Sequence, residues 1–186
     1  MTAELIILGM LWRRPAHPYE LVRVARDWRL DEFTPLALSS LYRVLAALER
    51  RGLVRVEERR VGSRPTRRVY SLTEAGLARL RELVRGGIQP TSLEGPRAAV
   101  HAALLFADVL PRHEVRAVLR ARLDGTRSTL AALDTAAKRA CDAPPVGSPY
   151  AAIIRLRGYQ HLRAEVAWLQ QALMALERED TGGNRD

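Results

Sequence analysis

The sequence predicts a mainly α-helical protein in which a small α+β module is followed by an all-helical module. Three observations predict it. Apolar residues recur at helical spacing up to residue 52, alternate with period two around a turn between residues 53 and 72, and return to helical spacing after residue 96. A length of 186 residues suits two small domains, or one domain with an appendage.

Three helices are predicted before the hairpin. Residues 3–13 are apolar almost all round, which is typical of a buried helix. Pro18 and Glu20 open the second helix, because proline suits the first helical position and a carboxylate favours the positive end of the helix dipole. The third helix runs to Arg51 and ends at Gly52. Leucines line its core side, and the opposite side carries Ser39, Arg43, Ala46 and Arg50.

An arginine-rich hairpin and a fourth helix follow. The alternation over residues 53–61 and 67–72 predicts two strands joined by a turn at residues 62–65. Thr73 caps the fourth helix, and the glycines at 86–87 are expected to end it. This order of three helices, two strands and a helix is that of a winged helix-turn-helix domain, which we assign to residues 1–88.

The second half of the chain is predicted to be helical. After a linker at residues 89–95, helices are expected over about 96–110, 111–142 and 149–180, and residues 181–186 are expected to form a flexible tail. The last helix carries apolar residues spaced three and four apart, as in a coiled coil: Tyr159, Leu162, Val166, Leu169, Leu173 and Leu176. A seam of under three heptads fits an intramolecular bundle as well as a dimer.

The net charge of +9 is distributed unevenly. Residues 1–90 hold 17 basic and 10 acidic residues, or +7, whereas residues 91–186 hold 13 and 11, or +2. This asymmetry indicates a polyanion-binding module joined to a nearly neutral one. The preference for arginine, with 29 Arg and one Lys, fits a high-GC genome, but such a bias does not explain why the excess lies in one half.

Several classes of function lack support. One cysteine, Cys141, excludes an internal disulfide, and no segment has the length of a membrane span or the pattern of a signal peptide, so we expect a cytoplasmic protein. The four histidines share no metal-ligand spacing, and no nucleophile elbow, phosphate-binding glycine loop or catalytic carboxylate pair occurs. We therefore expect no enzyme activity, no catalytic residue, no metal and no cofactor.

Four segments follow one another in a specific order and spacing over about residues 5–80: LGML, HPYEL, SSLYRVLAALERRGLV and GSRPTRRVYSLTEAG. Together they resemble the PadR family of bacterial transcription regulators. In the second half, LPRHEVRAVLRARL and EVAWLQQALMALE look like the dimerisation region of that family. The resemblance implies a repressor that binds double-stranded DNA as a homodimer, with a helical dimerisation domain at residues 96–180 and a small-molecule effector in the dimer interface.

The third helix supplies the first candidate DNA contacts. A helix fits the major groove and its N-terminal residues reach base edges, so base contacts are expected from Ser39, Ser40 and Arg43. Tyr42 is expected either to contact a phosphate through its hydroxyl or to pack its ring against the hairpin. Alternatively, these four residues only form the solvent-exposed face of the helix and contact no DNA.

The hairpin supplies the second set. Arg64 and one of Arg67 and Arg68 are expected to contact phosphates or the minor groove, because strand alternation prevents all the hairpin arginines from pointing one way. The alternative role for these charges is to keep a strand edge from pairing with another chain.

Two further sets belong to the second half. Dimerisation is assigned to the seam residues Leu162, Val166, Leu169, Leu173 and Leu176. Effector binding is assigned to Phe106, Tyr159 and Trp168, because flat aromatic side chains suit planar apolar ligands, with core packing as the alternative role for each.

Two rival functions remain open at this point. A winged helix can bind protein instead of DNA, although such a module would not need the positive charge of the first half. An enzyme with a basic substrate groove is the other rival, and the missing nucleophile, metal and acid–base motifs argue against it.

Overall fold

The computed structural model describes residues 2–28, 38–59, 67–89, 97–141 and 151–182. The predicted mainly helical fold with one small antiparallel sheet is confirmed. Its elements are α1 (Thr2–Arg13), α2 (Pro18–Asp27), α3 (Leu38–Arg50), β1 (Val54–Arg59), β2 (Arg67–Leu72), α4 (Glu74–Ile88), α5 (Arg97–Leu105), a 3-10 turn (Ala107–Val109), α6 (Arg112–Cys141) and α7 (Ala151–Gly182). No helix within the described ranges is long and apolar enough to cross a membrane.

Helix α1 lies at the centre of the first compact unit. Every residue from Leu5 to Leu11 is buried, because α3, α4, α5 and β2 all pack around the helix. This explains why the sequence of α1 is apolar almost all round. Leu45 of α3 and Leu80 of α4 are also fully buried in this core.

Helix α2 begins with a complete capping box. Pro18 occupies the first helical turn, as predicted, and His17 before it is the N-cap. The Nδ1 of His17 accepts a hydrogen bond from the Tyr19 backbone at 3.3 Å, and the Glu20 carboxylate accepts one from the His17 backbone at 2.9 Å. Two otherwise unpaired backbone donors are satisfied in this way. The capping role of His17 was not predicted from the sequence.

The hairpin pairs with the connection between α1 and α2. β1 and β2 are antiparallel, with Val54 opposite Leu72 and Glu58 opposite Arg68. Ala16 and Tyr70 exchange two backbone hydrogen bonds of 3.0 Å each, so a single residue of the α1–α2 connection extends the sheet. Gly52, at φ 67°, ends α3 and turns the chain into β1, as predicted.

Helix α4 continues through the glycines that were expected to end it, and it stops at Ile88. A Cβ on Gly87 would lie 2.7 Å from the Cβ of Ala103 and 3.0 Å from the backbone oxygen of Ala99. Gly87 therefore serves the close approach of α4 and α5, and termination is not its role. The prediction was wrong here because packing against α5 outweighs the low helix propensity of glycine.

Helix α5 and the 3-10 turn group with α1–α4 in the first unit. The sequence-based limits instead place residues 96–110 with the helices that follow. The difference has a packing reason, since Phe106 is fully buried beside Gly9 of α1 and α5 packs on α4.

The second unit contains α6 and α7, which pack along one another. Leu119 and Leu123 of α6 and Leu169 and Leu173 of α7 are buried. The Nε of Arg122 lies 2.7 Å from a carboxylate oxygen of Glu165, and its Nη1 donates to the backbone oxygen of Gln89 at 3.0 Å. The coiled-coil seam of α7 thus has an intramolecular partner.

Candidate nucleic-acid interface

Helix α3 has a buried side and an exposed side. Leu41, Leu45 and Leu48 are each at most 1% exposed, and they anchor the helix in the first unit. On the opposite side, Arg43, Ala46 and Arg50 are exposed. The stripe predicted from helical spacing is confirmed for these residues, and the side chain of Ser39 lies outside the described residues.

Two arginines lie on this exposed side of α3. Arg43 and Arg50 make no ion pair with any other described residue. They are seven residues apart on one helix, which places them about 10 Å apart along its axis. A helix with two uncompensated cations on one face can contact two anionic groups without first breaking an internal ion pair.

The predicted base-contacting serine and the tyrosine beside it are only partly exposed. Ser40 is half-buried and already has a polar or electrostatic contact within the protein. Tyr42 is 41% exposed, and it lies close enough to Tyr70 of β2 to influence the ionisation of that phenol. Both alternatives for Tyr42, hydroxyl contact and packing towards the hairpin, remain compatible with this position.

Of the three hairpin arginines predicted to contact DNA, only Arg68 has a described side chain. The Nη2 of Arg68 lies 3.3 and 3.4 Å from the two carboxylate oxygens of Glu49 on α3. Its guanidinium carbon also lies 5.6 Å from the ring centroid of Tyr70, within the range of a cation–π contact. Arg64 lies outside the described residues, and for Arg67 the structure describes the strand position opposite Arg59 but no side chain.

Tyr70 of β2 is the buried residue between Arg68 and the core of the first unit. It is 2% exposed, and its burial is the main reason why its pKa is raised above the ordinary tyrosine value. Arg68 acts against this rise, whereas Glu49 and Tyr42 add to it. The four side chains Tyr42, Glu49, Arg68 and Tyr70 therefore form one group, called here the helix–wing cluster, which joins α3 to β2.

Sequence reasoning missed Glu49 as a member of this cluster. Its position seven residues after Tyr42 places both on the same side of α3, which is a signal that spacing alone could have given. Its partner on β2 could not be chosen in the same way, because several arginines are available in the hairpin.

A second carboxylate holds the end of α3. Glu4 of α1 accepts hydrogen bonds from Arg51 at 3.0 Å and from Arg79 of α4 at 3.1 Å. The bonds that Arg79 donates to Glu4 and then to Glu82 raise its pKa above the ordinary arginine value. These contacts connect α1 to α4 and to Arg51, the residue that follows α3. They therefore hold the C-terminal end of α3 in position.

The residues assigned to effector binding fall in both units. Phe106 is fully buried in the first unit, where Trp28 lies against it with ring centroids 6.3 Å apart. Tyr159 and Trp168 belong to α7, where Arg163 lies 5.1 Å over the Tyr159 ring and Trp168 is 36% exposed. Phe106 therefore has the core-packing role given as its alternative.

The dimerisation residues on α7 differ in their burial. Leu169 and Leu173 are 0% and 5% exposed in a single chain, whereas Leu162, Val166 and Leu176 are half-buried. Among the described residues, no group of three or more histidine, cysteine or acidic side chains could hold a metal ion.

Two family models match separate parts of the chain. Residues 7–82 match the model of the transcriptional regulator PadR-like family, and residues 97–177 match that of the virulence activator alpha C-terminal region. No curated protein matches the chain at a significant level.

Solved structures are similar over nearly the whole chain. Bacillus subtilis PadR in complex with operator DNA is 20% identical, covers 95% of this chain and 99% of its own, and has a TM-score of 0.45. The same protein in complex with p-coumaric acid has the same identity and coverage and a TM-score of 0.40. The Vibrio cholerae virulence activator AphA is 23% identical, with 95% and 99% coverage and a TM-score of 0.37. From the family match and its own winged-helix architecture, the chain carries a domain of the PadR-like family of transcriptional regulators.

Proposed function

We propose that the protein is a ligand-responsive transcriptional repressor, which binds a pseudo-palindromic operator in double-stranded DNA as a homodimer. The observation that carries DNA binding is the exposed side of α3, where Arg43 and Arg50 have no ion pair among the described residues. The match of residues 7–82 to a family of transcriptional regulators supports the same proposal.

In this proposal α3 lies in the major groove. Its N-terminal half presents Ser39, Ser40 and Arg43 to base edges, and the guanidinium of Arg43 can bind guanine through two hydrogen bonds. Arg64 and one of Arg67 and Arg68 of the hairpin contact phosphates or the minor groove beside it. In the free protein the Glu49–Arg68 contact of the helix–wing cluster joins these two parts of the interface.

Dimerisation is proposed to occur through the second unit. Large apolar side chains of α7 remain exposed in one chain, among them Leu156 at 59% and Met174 at 47%. They are 18 residues apart, which is five helical turns, so they lie on the same side of α7. The half-buried Leu162, Val166 and Leu176 flank the α6–α7 seam and can extend the contact. A two-fold dimer would present two copies of α3 to successive major grooves, about one DNA turn apart.

The effector and the repressor role are proposed only from the resemblance of the sequence segments to the PadR family. Tyr159 and Trp168 of α7 are the proposed effector contacts, because both are accessible aromatic side chains in the unit proposed to dimerise. A ligand that favours one arrangement of the two protomers would change the separation of the two α3 helices and hence the affinity for the operator.

A salt titration tests DNA binding. A fragment from the promoter region of the gene and a scrambled duplex of equal length are titrated with the full-length protein at several salt concentrations. Each phosphate neutralised contributes a slope of about −0.9 in log affinity against log salt, so we expect a steep dependence and tighter binding of the promoter fragment. Equal affinities, or a flat salt response, would favour a protein-interaction module instead.

A further inference from the structure

Glu49 is the one carboxylate in α3, the helix proposed to lie against DNA. It lies in the last turn, where the negative end of the helix dipole disfavours a second negative charge. It also lies on the part of the molecule that a polyanion would approach. Neither the stability of the helix nor DNA affinity accounts for a carboxylate at this position, so its contact with Arg68 is the feature that needs a function.

Arg68 is held from two directions. Both carboxylate oxygens of Glu49 lie within 3.4 Å of its Nη2, and the ring of Tyr70 lies below its guanidinium. The ring is held in place because the Tyr70 side chain is only 2% exposed and its backbone pairs with Ala16 through two hydrogen bonds. The side chains of Arg68 and Glu49 are still 52% and 34% exposed, so a phosphate can reach the same guanidinium.

We propose that Glu49 is a specificity-determining residue, which lowers affinity for arbitrary DNA by neutralising Arg68 in the free protein. The inference rests on the proposed function, because it concerns how the protein discriminates between duplexes. A phosphate has to compete with Glu49 for the Nη2 of Arg68, and at the other guanidinium nitrogens it still meets the nearby carboxylate. On the operator, base contacts of α3 hold the duplex in place, so the phosphate acts at a high effective concentration and the exchange is favourable. On arbitrary DNA no base contacts hold the duplex in place, so the exchange of Glu49 for a phosphate is unfavourable.

The strength of the pair suits such an exchange. An exposed ion pair changes an equilibrium constant by about twofold to fivefold. Glu49 can therefore weaken the contact between Arg68 and DNA without preventing it. Arg43 and Arg50 have no comparable partner among the described residues and stay available on any duplex. In this proposal Arg68 contacts DNA mainly on the operator, whereas Arg43 and Arg50 contact any duplex.

The test compares four full-length variants with the parent protein: Glu49→Gln, Arg68→Gln, the double variant, and Glu57→Gln as a control. Glu57 is an exposed carboxylate of β1 that lies 3.6 Å from Arg55, whereas Arg68 pairs with Glu49, so removal of Glu57 deletes the same charge without releasing Arg68. Affinity is measured at several salt concentrations for a random-sequence duplex and for a duplex that the parent protein enriches from a randomised pool. Circular dichroism confirms folding.

We expect Glu49→Gln to bind the random duplex about twofold to fivefold more tightly per protomer, with a salt slope steeper by about 0.9 per protomer. Binding to the enriched duplex should change less, so discrimination falls. Glu57→Gln should keep the slope of the parent protein. In the Arg68→Gln background, Glu49→Gln should have no further effect.

Four outcomes overturn the inference. The inference is contradicted if Glu49→Gln does not change affinity for the random duplex, or if its effect persists when Arg68 is also substituted. It is also contradicted if Glu57→Gln has an equal effect, because Glu49 would then act only through the net charge of the protein. A folded Glu49→Gln that loses affinity for both duplexes also contradicts it. If the parent protein enriches no duplex at all, the proposed function fails first and the inference fails with it.

Discussion

The ring of Phe106 occupies the space beside Gly9 so closely that a Cβ on Gly9 would lie 2.6 Å from two of its ring carbons. Gly9 lies in the middle of the buried helix α1, and Phe106 lies almost one hundred residues later, between α5 and the 3-10 turn. This contact holds the end of α5 against α1. The glycine therefore has a packing role, since its position in α1 requires no unusual backbone angle.

Gly9→Ala is the first prediction. The added methyl group has to displace the Phe106 ring, and overpacking of this kind lowers the free energy of unfolding by about 1–3 kcal/mol. Gly86→Ala is the matched control, because its added Cβ meets nothing within 4 Å in the exposed part of α4. The control should raise stability by up to about 1 kcal/mol. Urea denaturation measures both, and a neutral Gly9→Ala would contradict the contact.

Arg43 and Arg50 are expected to differ in the kind of binding they supply. Arg43 lies in the N-terminal half of α3, so Arg43→Ala should cost about 1–3 kcal/mol on the operator and relax preference at one base position per half-site. Arg50 is the last residue of α3 and suits a phosphate contact. Arg50→Ala should weaken every duplex similarly and flatten the salt slope by about one unit. Titration of operator and random duplex decides this, and the reverse pattern would assign base contacts to the other end of the helix.

Two substitutions in α7 separate folding from dimerisation. Leu169 is fully buried where α7 packs along α6, so Leu169→Arg places a charge in the core of the second unit and should reduce its helical content. Met174 is 47% exposed, so Met174→Arg should leave the helices intact and convert a dimer to a monomer. Circular dichroism and analytical ultracentrifugation measure the two effects. A dimeric, folded Met174→Arg would place the dimer contact on another surface.

The fourth prediction concerns alkaline pH. Because burial raises the pKa of Tyr70, the folded state keeps a proton that the unfolded state releases above about pH 10, so stability falls as the pH rises from there through the folded-state pKa. Tyr70→Phe should remove this part of the decline. Denaturant unfolding between pH 8 and 11 measures it, with Tyr19→Phe, at a 64% exposed side chain, as the control for loss of a hydroxyl. Parallel pH profiles for the parent and Tyr70→Phe would contradict the burial of the phenol.

Most of the first unit could be predicted because its signals are local. The first turn of α2 follows from Pro18 and Glu20, and the end of α3 follows from Gly52, whose positive φ suits glycine. The exposed face of α3 with Arg43 follows from helical spacing. In each case the residues that form the structure are within one or two turns of the residues that signal it.

Where the prediction failed, the competing effect came from a distant part of the chain. The glycines at 86–87 were expected to end α4, yet Gly87 lies close to Ala103 of α5 and the helix runs one residue further, to Ile88. The coiled-coil spacing of α7 was correctly recognised as a seam open to either partner, but it could not show that α6 already buries Leu169 and Leu173.

The sequence by itself determined the order of elements, the exposed cationic face of α3 and the concentration of positive charge in the first half, because periodicity and charge are written in consecutive residues. Only the tertiary structure decided which arginine is neutralised and which are available. Arg68 meets Glu49, and Tyr70 meets Ala16, across 19 and 54 residues of chain, and a pairing over such a separation depends on how the elements pack. The same packing leaves Arg43 and Arg50 without an ion pair among the described residues. A local sequence pattern cannot show which of several similar arginines is paired.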